Sequence, residues 1–169
     1  MRLGVFGGTF NPVHLGHLVL ARECRDQLGL DEVWLVPCGI PPHKSPDGLA
    51  DPQARKEMLL LATAGEPSLV VSDLEIERPG VSYTVETLET IVEEDPGRKL
   101  FLLLGADAVD DLMNWHRPER ICELATLVTV NRGEEVSIAN LPGARLETVT
   151  IPGITLASSD LRQRIYEGR

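Results

Sequence analysis

The chain has 169 residues, 43% of them hydrophobic, and its 26 acidic side chains outnumber 16 basic ones to give a formal net charge of −10 at neutral pH. That length suits a single folded domain, residues 1–169, with enough interior to fold without disulfide or metal staples. The acidic balance argues against nucleic acid and anionic membranes as partners, yet local cations and main-chain N–H groups can still hold a small phosphate ligand.

Leu3–Phe6 is a short apolar run ending at Gly7-Gly8, which predicts a buried strand followed by a sharp turn. Leu15, Leu18, Val19 and Arg22 recur at helical spacing, so a helix is expected from about His14 to Leu28, stopped by Gly29. Val33–Val36 predicts a second strand, closed by Pro37 and a Pro- and Gly-rich loop from Cys38 to Leu49. Asp51-Pro52 supplies an N-cap and a first-turn proline for a helix to about Ala64. Leu69–Val71 reads as a strand, Arg78–Tyr83 as a loop and Thr84–Glu94 as a helix ended by Pro96-Gly97. Leu100–Leu104, five apolar residues before Gly105, is the best candidate for a central parallel strand. Short helices are expected near Ala108–Asn114 and Pro118–Leu124, strands at Leu127–Val130 and Glu147–Ile151, and a last helix from Ser158 to Tyr166 with Gly168 beyond it.

Alternating strands and helices imply an α/β fold, a doubly wound, mostly parallel sheet with helices on both faces. Ligands in such sheets sit beyond the carboxyl ends of the strands. The loops after Phe6, Val36, Leu104 and Val130 are therefore expected to share one cleft. No apolar run reaches the roughly 18 residues of a membrane span, and the N-terminus lacks the pattern of a signal peptide. Cys24, Cys38 and Cys122 are scattered without a CxxC pair, which suits thiols in a reducing, cytoplasmic setting.

The richest segment is Gly7-Gly8-Thr9-Phe10-Asn11-Pro12-Val13-His14-Leu15-Gly16-His17. Two glycines directly after a strand let the main chain approach a ligand, and the following helix start carries roughly half a positive charge. His14 and His17 are three apart and share a helix face, so both imidazoles can reach one phosphate. Near the other end, Ser158 or Ser159 can N-cap the last helix, and Arg162, a turn later, can grip phosphate oxygens with its planar fork. Pro41-Pro42 limits the freedom of the loop that carries His43 and Lys44 and would hold the lysine toward the cleft. Asp107, after Gly105 at the end of the likely central strand, can accept hydrogen bonds from ribose hydroxyls. Arg55 and Arg132-Gly133 are further candidates for anion contacts that the sequence leaves open. Neither GxxxxGK[ST] nor GxGxxG follows the first strand, which weakens the common ATPase and dehydrogenase readings.

Gly7-Gly8-Thr9-Phe10 with His14-Leu15-Gly16-His17 resembles the (H/T)xGH nucleotidyltransferase superfamily. Pro41-Pro42-His43-Lys44, Ser82-Tyr83-Thr84 with Thr87-Leu88, Gly105-Ala106-Asp107, Trp115-His116-Arg117 and Ser158-Ser159-Asp160-Leu161-Arg162 follow in that order. Together they are similar to the bacterial nicotinate-nucleotide adenylyltransferases across nearly the whole chain. The C-terminal motif departs from the usual ISSTxIR: Ala157 replaces the first serine and Ser159 the threonine. Asn11 stands where many relatives carry aspartate.

The resemblance implies transfer of AMP from ATP to the 5′-phosphate of nicotinate mononucleotide, giving deamido-NAD and pyrophosphate. It implies catalytic roles for His14, His17, Lys44 and Arg162. ATP would meet Gly7, Gly8, Thr9, Phe10, His17, Gly105, Asp107, Ser158, Ser159 and Arg162. The mononucleotide would meet Asn11, Lys44, Thr84, Trp115 and His116, with Trp115 lining the nicotinate pocket. Mg²⁺ would arrive with ATP, with no metal bound by the protein itself. ATP and nicotinate mononucleotide are the expected partners, and the sequence leaves a homo-oligomer open. Three rival readings are a sister enzyme acting on nicotinamide mononucleotide or phosphopantetheine, a non-catalytic nucleotide-binding module, and a plain NAD-binding domain.

Overall fold

Along Leu100–Leu104 the side chains alternate between two hydrophobic clusters. Leu100, Leu102 and Leu104 enter one, and Phe101 and Leu103 the other. A strand that buries both faces needs such a run, and each fully buried side chain of this kind contributes about 2 kcal/mol. The structure, a computed structural model, describes residues 1–42, 48–130, 143–151, 153 and 156–169, with the main chain alone for Ala106 and Asp107.

In chain order the elements are β1 (Arg2–Gly8), α1 (Leu15–Leu28), β2 (Glu32–Pro37), α2 (Pro52–Ala62), β3 (Leu69–Val71), α3 (Thr84–Glu94), β4 (Lys99–Leu104), α4 (Ala106–Asp111), α5 (Pro118–Leu124), β5 (Ala125–Val130), β6 (Leu146–Val149) and α6 (Ser158–Tyr166). A 3₁₀ turn, Leu112–Asn114, follows α4. The strands form one sheet in the order β3-β2-β1-β4-β5-β6, and every pairing is parallel. The expected doubly wound α/β architecture is therefore present. Leu3, Val5 and the even-numbered β4 leucines pack against Val85, Leu88 and Ile91 of α3 and Ile121 and Cys122 of α5. The opposite face packs against Leu20, Ala21 and Cys24 of α1 and Leu59 of α2.

Helix ends follow local chemistry. Gly29 takes φ 59° and ψ 46° after α1, a left-handed stop that a side chain would strain. The Asp51 carboxylate accepts the Gln53 N–H at 2.9 Å and Pro52 opens α2. Several boundaries differ from the sequence expectation. α4 starts at Ala106 because Gly105 serves as its N-cap, and it tightens into the 3₁₀ turn before Trp115. β5 starts at Ala125, paired with Leu100. β6 ends at Val149 because its partner, Val130, is the last residue of β5. Among the described residues no helix is long and apolar enough to cross a membrane.

The chain reverses its winding at β1, with β2 on one side and β4 on the other. The carboxyl ends of β1 and β4, Gly7-Gly8 and Gly105, lie beside the crevice that such a reversal opens.

Candidate active site

β1 runs out at Gly7-Gly8. A Cβ on Gly8 would stand 3.1 Å from the Phe10 ring, whereas one on Gly7 would meet nothing within 4 Å. Phe10 takes φ 47° and turns its ring into the interior, where it is 1% exposed. There it meets Phe6 edge-on at 5.4 Å and His17 at 5.0 Å. Phe10 can therefore offer an ATP molecule only its main chain, while its ring packs against His17.

His14 is the N-cap of α1, and its N–H donates to His17 Nδ1 at 3.1 Å. An accepting Nδ1 places the proton of the neutral His17 ring on Nε2, a donor suited to an anionic oxygen. The two imidazoles stack with centroids 3.7 Å apart. Burial lowers the His14 pKa, so that ring rests neutral at physiological pH. The His17 and Leu18 N–H groups turn back to the His14 carbonyl. The two N–H groups ahead of them, on Leu15 and Gly16, form the positive end of α1.

α6 is docked against the same segment. The Arg162 Nη1 donates to the Asn11 carbonyl at 2.7 Å, and the Ser158 hydroxyl donates to the Pro12 carbonyl at 2.8 Å. The expectation that Ser158 or Ser159 caps α6 is corrected: Ala157 holds the N-cap position, without a side-chain cap. Ser158 is the first residue of the helix rather than the one before it, and its hydroxyl donates to the Pro12 carbonyl. Asp160 and Leu161 N–H groups turn back to Ala157, so the N–H groups of Ser158 and Ser159 lead the helix. The start of α1, with its leading Leu15 and Gly16 N–H groups, and the uncapped start of α6 thus meet at one loop, an arrangement that holds anions.

Asn11, expected at the mononucleotide, and Arg55, left open as an anion contact, both make structural bonds. The Asn11 side chain is 5% exposed, donating to the Gly48 carbonyl at 2.9 Å and accepting the Ala50 N–H at 3.0 Å. It ties the loop to the segment before α2. Arg55 is 1% exposed and serves main-chain carbonyls instead of an anion. It donates to Ala50 at 3.0 Å, Thr9 at 2.7 Å, Cys38 at 2.7 Å and Gly39 at 3.3 Å. A buried guanidinium needs its donors satisfied, and these carbonyls do so without a carboxylate among the described residues.

A cleft of about 350 Å³ opens at the strand ends. Gly7, Gly8 and Thr9 form one side, Cys38, Pro41 and Pro42 another, and Ser82, Tyr83 and Thr84 a third. Ala108, Asp111, Trp115, His116 and Ile121 close it. Trp115 packs partly against the core, while His116 lies over Tyr83 with ring centroids 4.6 Å apart. Thr84 opens α3, whose N-cap position is held by Tyr83 without a side-chain bond. The structure thus brings Gly7, Gly8, Thr9, Thr84, Trp115 and His116 together. Lys44 and Arg132-Gly133 lie outside the described residues, as does the loop after Val130, and of Asp107 only the main chain, in α4, is described.

Sequence reasoning missed Glu75, which is 5% exposed and lines the cleft. Its signal is a carboxylate between two apolar residues, Leu74-Glu75-Ile76, in the stretch between the Leu69–Val71 strand and the Arg78–Tyr83 loop.

The cytidylyltransferase-like family model matches residues 5–164. A Thermus thermophilus protein described as a probable nicotinate-nucleotide adenylyltransferase is 45% identical over 170 residues, spanning 100% of this chain and 89% of that one. A Thermomicrobium roseum protein of the same description is 42% identical over 175 residues, with 99% and 82% coverage. Among solved structures, Plasmodium falciparum nicotinic acid mononucleotide adenylyltransferase complexed with NaAD superposes with a TM-score of 0.80 at 22% identity, covering 96% of this chain and 82% of that one. At that identity the likeness is one of fold.

Proposed function

Since this chain belongs to the cytidylyltransferase-like family, and within it to the nicotinate-nucleotide adenylyltransferases, we propose that it transfers AMP from ATP to the 5′-phosphate of nicotinate mononucleotide, a step of NAD biosynthesis. A phosphate oxygen of the mononucleotide attacks the α-phosphorus of ATP. The new P–O–P bond forms as the α–β bond breaks, and pyrophosphate leaves with nicotinate adenine dinucleotide as the other product. The observation that best supports this reading is the meeting of two helix starts, α1 and α6, at the loop that opens onto the cleft.

No protein nucleophile is required, because the attacking phosphate is ionised at neutral pH. The protein's part is to position the reactants and stabilise charge on the moving oxygens. His17 donates from Nε2 to the ATP phosphates, with His14 stacked beside it. Arg162 has further guanidinium donors beyond the one bound to Asn11, and with the leading N–H groups of α6 it holds the departing pyrophosphate. Gly7 and Gly8 let ATP lie against the main chain, and Gly105 and Asp107 take its ribose. Lys44 neutralises the incoming phosphate. Trp115 and His116 stack on the pyridine ring, and the Thr84 end of α3 receives its carboxylate.

Among the described residues no group of three or more His, Cys, Asp or Glu side chains could hold a metal ion. Mg²⁺ would arrive with ATP and would offset phosphate charge there. A cytoplasmic location is part of the same proposal, and three buried cysteine thiols fit a reducing compartment.

The test is stoichiometry. The purified protein with MgATP and nicotinate mononucleotide should release pyrophosphate and nicotinate adenine dinucleotide in equal amounts. Pyrophosphate without the dinucleotide, or neither product, would remove the reading.

A further inference from the structure

The reaction proposed above gives Glu75 no part, yet this buried residue lines the cleft and sits at the centre of a polar network. The Thr87 hydroxyl, in the first turn of α3, donates to Glu75 Oε1 at 2.7 Å. The same hydroxyl accepts from Arg78 Nη1 at 3.2 Å. The Arg78 guanidinium also reaches Glu86, 3.7 Å away on the same helix as Thr87. Behind Glu75, the chain is tied to the loop after β2. The Gly39 N–H donates to the Ser82 hydroxyl at 3.0 Å, and the Ser82 N–H donates to the Ile40 carbonyl at 2.9 Å. The Glu75 carbonyl lies where a Cβ on Gly39 would stand, at 2.6 Å, so the two segments are in close contact.

These bonds matter because α3 begins with no side-chain cap, so its entry is fixed by whatever holds its first turn. Thr87 is that hold. Its N–H and the Glu86 N–H return to the Tyr83 carbonyl, while its hydroxyl is held by Glu75. Tyr83 and Thr84, at the same helix start, wall the cleft.

We infer that Glu75 is a positioning residue for the acceptor: through the Thr87 hydroxyl it fixes the first turn of α3, and with it the Tyr83 ring and Thr84 main chain on the mononucleotide side of the cleft. This rests on the proposed function. The Glu75–Thr87 bond acts on α3 directly, whereas its route to the Gly7–His17 segment runs through Gly39 and Arg55 to the Thr9 carbonyl, so its effect falls more on the acceptor than on ATP.

The test uses Glu75→Ala and Glu75→Gln beside Thr87→Val and the Glu75→Ala/Thr87→Val double variant. Removing Glu75 takes away the 2.7 Å acceptor of the Thr87 hydroxyl and leaves it the more distant Tyr83 carbonyl at 3.4 Å. The KM for nicotinate mononucleotide should rise about tenfold in Glu75→Ala, with the KM for ATP and kcat within about twofold of wild type. Glu75→Gln keeps an oxygen that accepts from Thr87 and should restore most of the acceptor affinity. Thr87→Val should match Glu75→Ala, and the double variant should be no worse than either, as expected for two members of one contact. An equal rise in both KM values, or additive losses in the double variant, would overturn the proposal. Hydrogen exchange of the ligand-free protein supplies a readout independent of the function reading. Glu75→Ala should speed exchange of the α3 first turn while β1 and β4 amides stay protected. Unchanged exchange there would also overturn it.

Discussion

The Arg162 guanidinium donates to the main-chain carbonyl of Asn11 at 2.7 Å, across 151 positions of sequence. None of the residues of α6 is buried, so this bond and the one from Ser158 to Pro12 hold the helix against the Gly7–His17 loop. Arg162 therefore carries two loads, docking α6 and, in the proposed reaction, gripping the phosphates of ATP. Arg162→Lys retains charge but loses the planar fork, and should lower kcat/KM for ATP by about 10- to 100-fold. The thermal midpoint should change little, because the helix it docks is exposed. Steady-state kinetics and thermal melts check this together. A large drop in melting temperature with near-normal kinetics would assign Arg162 to docking alone.

His17 is held by a bond at Nδ1 and packed against Phe6 and Phe10. That arrangement orients Nε2 rather than stabilising the core. His17→Ala should cut kcat by about 10²- to 10³-fold, the range for losing one donor to a developing anion. Circular dichroism should remain that of the wild type. Near-normal turnover would take His17 out of the reaction.

Arg55 makes the opposite prediction. Its guanidinium joins Thr9, Cys38, Gly39 and Ala50 by their carbonyls. Arg55→Met strands these buried acceptors and should cost about 3 kcal/mol or more of stability. Urea unfolding measures it. A loss below about 1 kcal/mol would mean the carbonyls find water in its absence.

Glu75 gives a pH signature. Burial pushes its carboxyl pKa up from the usual value, with the Thr87 hydrogen bond and Arg78 pulling the other way. The folded chain therefore holds this proton more tightly than the unfolded chain. The stabilisation is fully present below the unfolded pKa, about 4.3 to 4.5, and is lost as pH rises through the raised folded value. Glu75→Gln cannot titrate. Its stability relative to wild type should increase between pH 4 and pH 7.5 as read by urea midpoints. A pH-independent difference would contradict the raised pKa.

The sheet was legible because its signal is local. Leu100–Leu104 has the length and composition of a strand buried on both faces, and Asp51-Pro52 and Gly29 mark helix ends by their own chemistry. The glycine turn and the histidine pair were legible for the same reason. What stayed hidden depends on partners distant in sequence. Asn11 looked like a ligand contact until Gly48 and Ala50 came to it. Arg55 looked like an anion contact because a cation's usual partner is an anion, and no pattern in sequence announces a set of carbonyls. Ser158 reads as a cap because serine caps helices, but the helix starts one residue earlier than that reading needs, and the Ser158 hydroxyl donates to the Pro12 carbonyl 146 positions away. Glu75 carried only a faint signal, a charge among apolar neighbours.

The most direct test of the whole account compares two acceptors that differ in one group. With saturating MgATP, kcat/KM should be measured for nicotinate mononucleotide and for nicotinamide mononucleotide. A cleft walled by the start of α3 should prefer the carboxylate, and the account predicts a preference for the acid of at least about tenfold, the worth of one charge-assisted hydrogen bond of about 1.5 kcal/mol. Equal rates, or a preference for the amide, would contradict it.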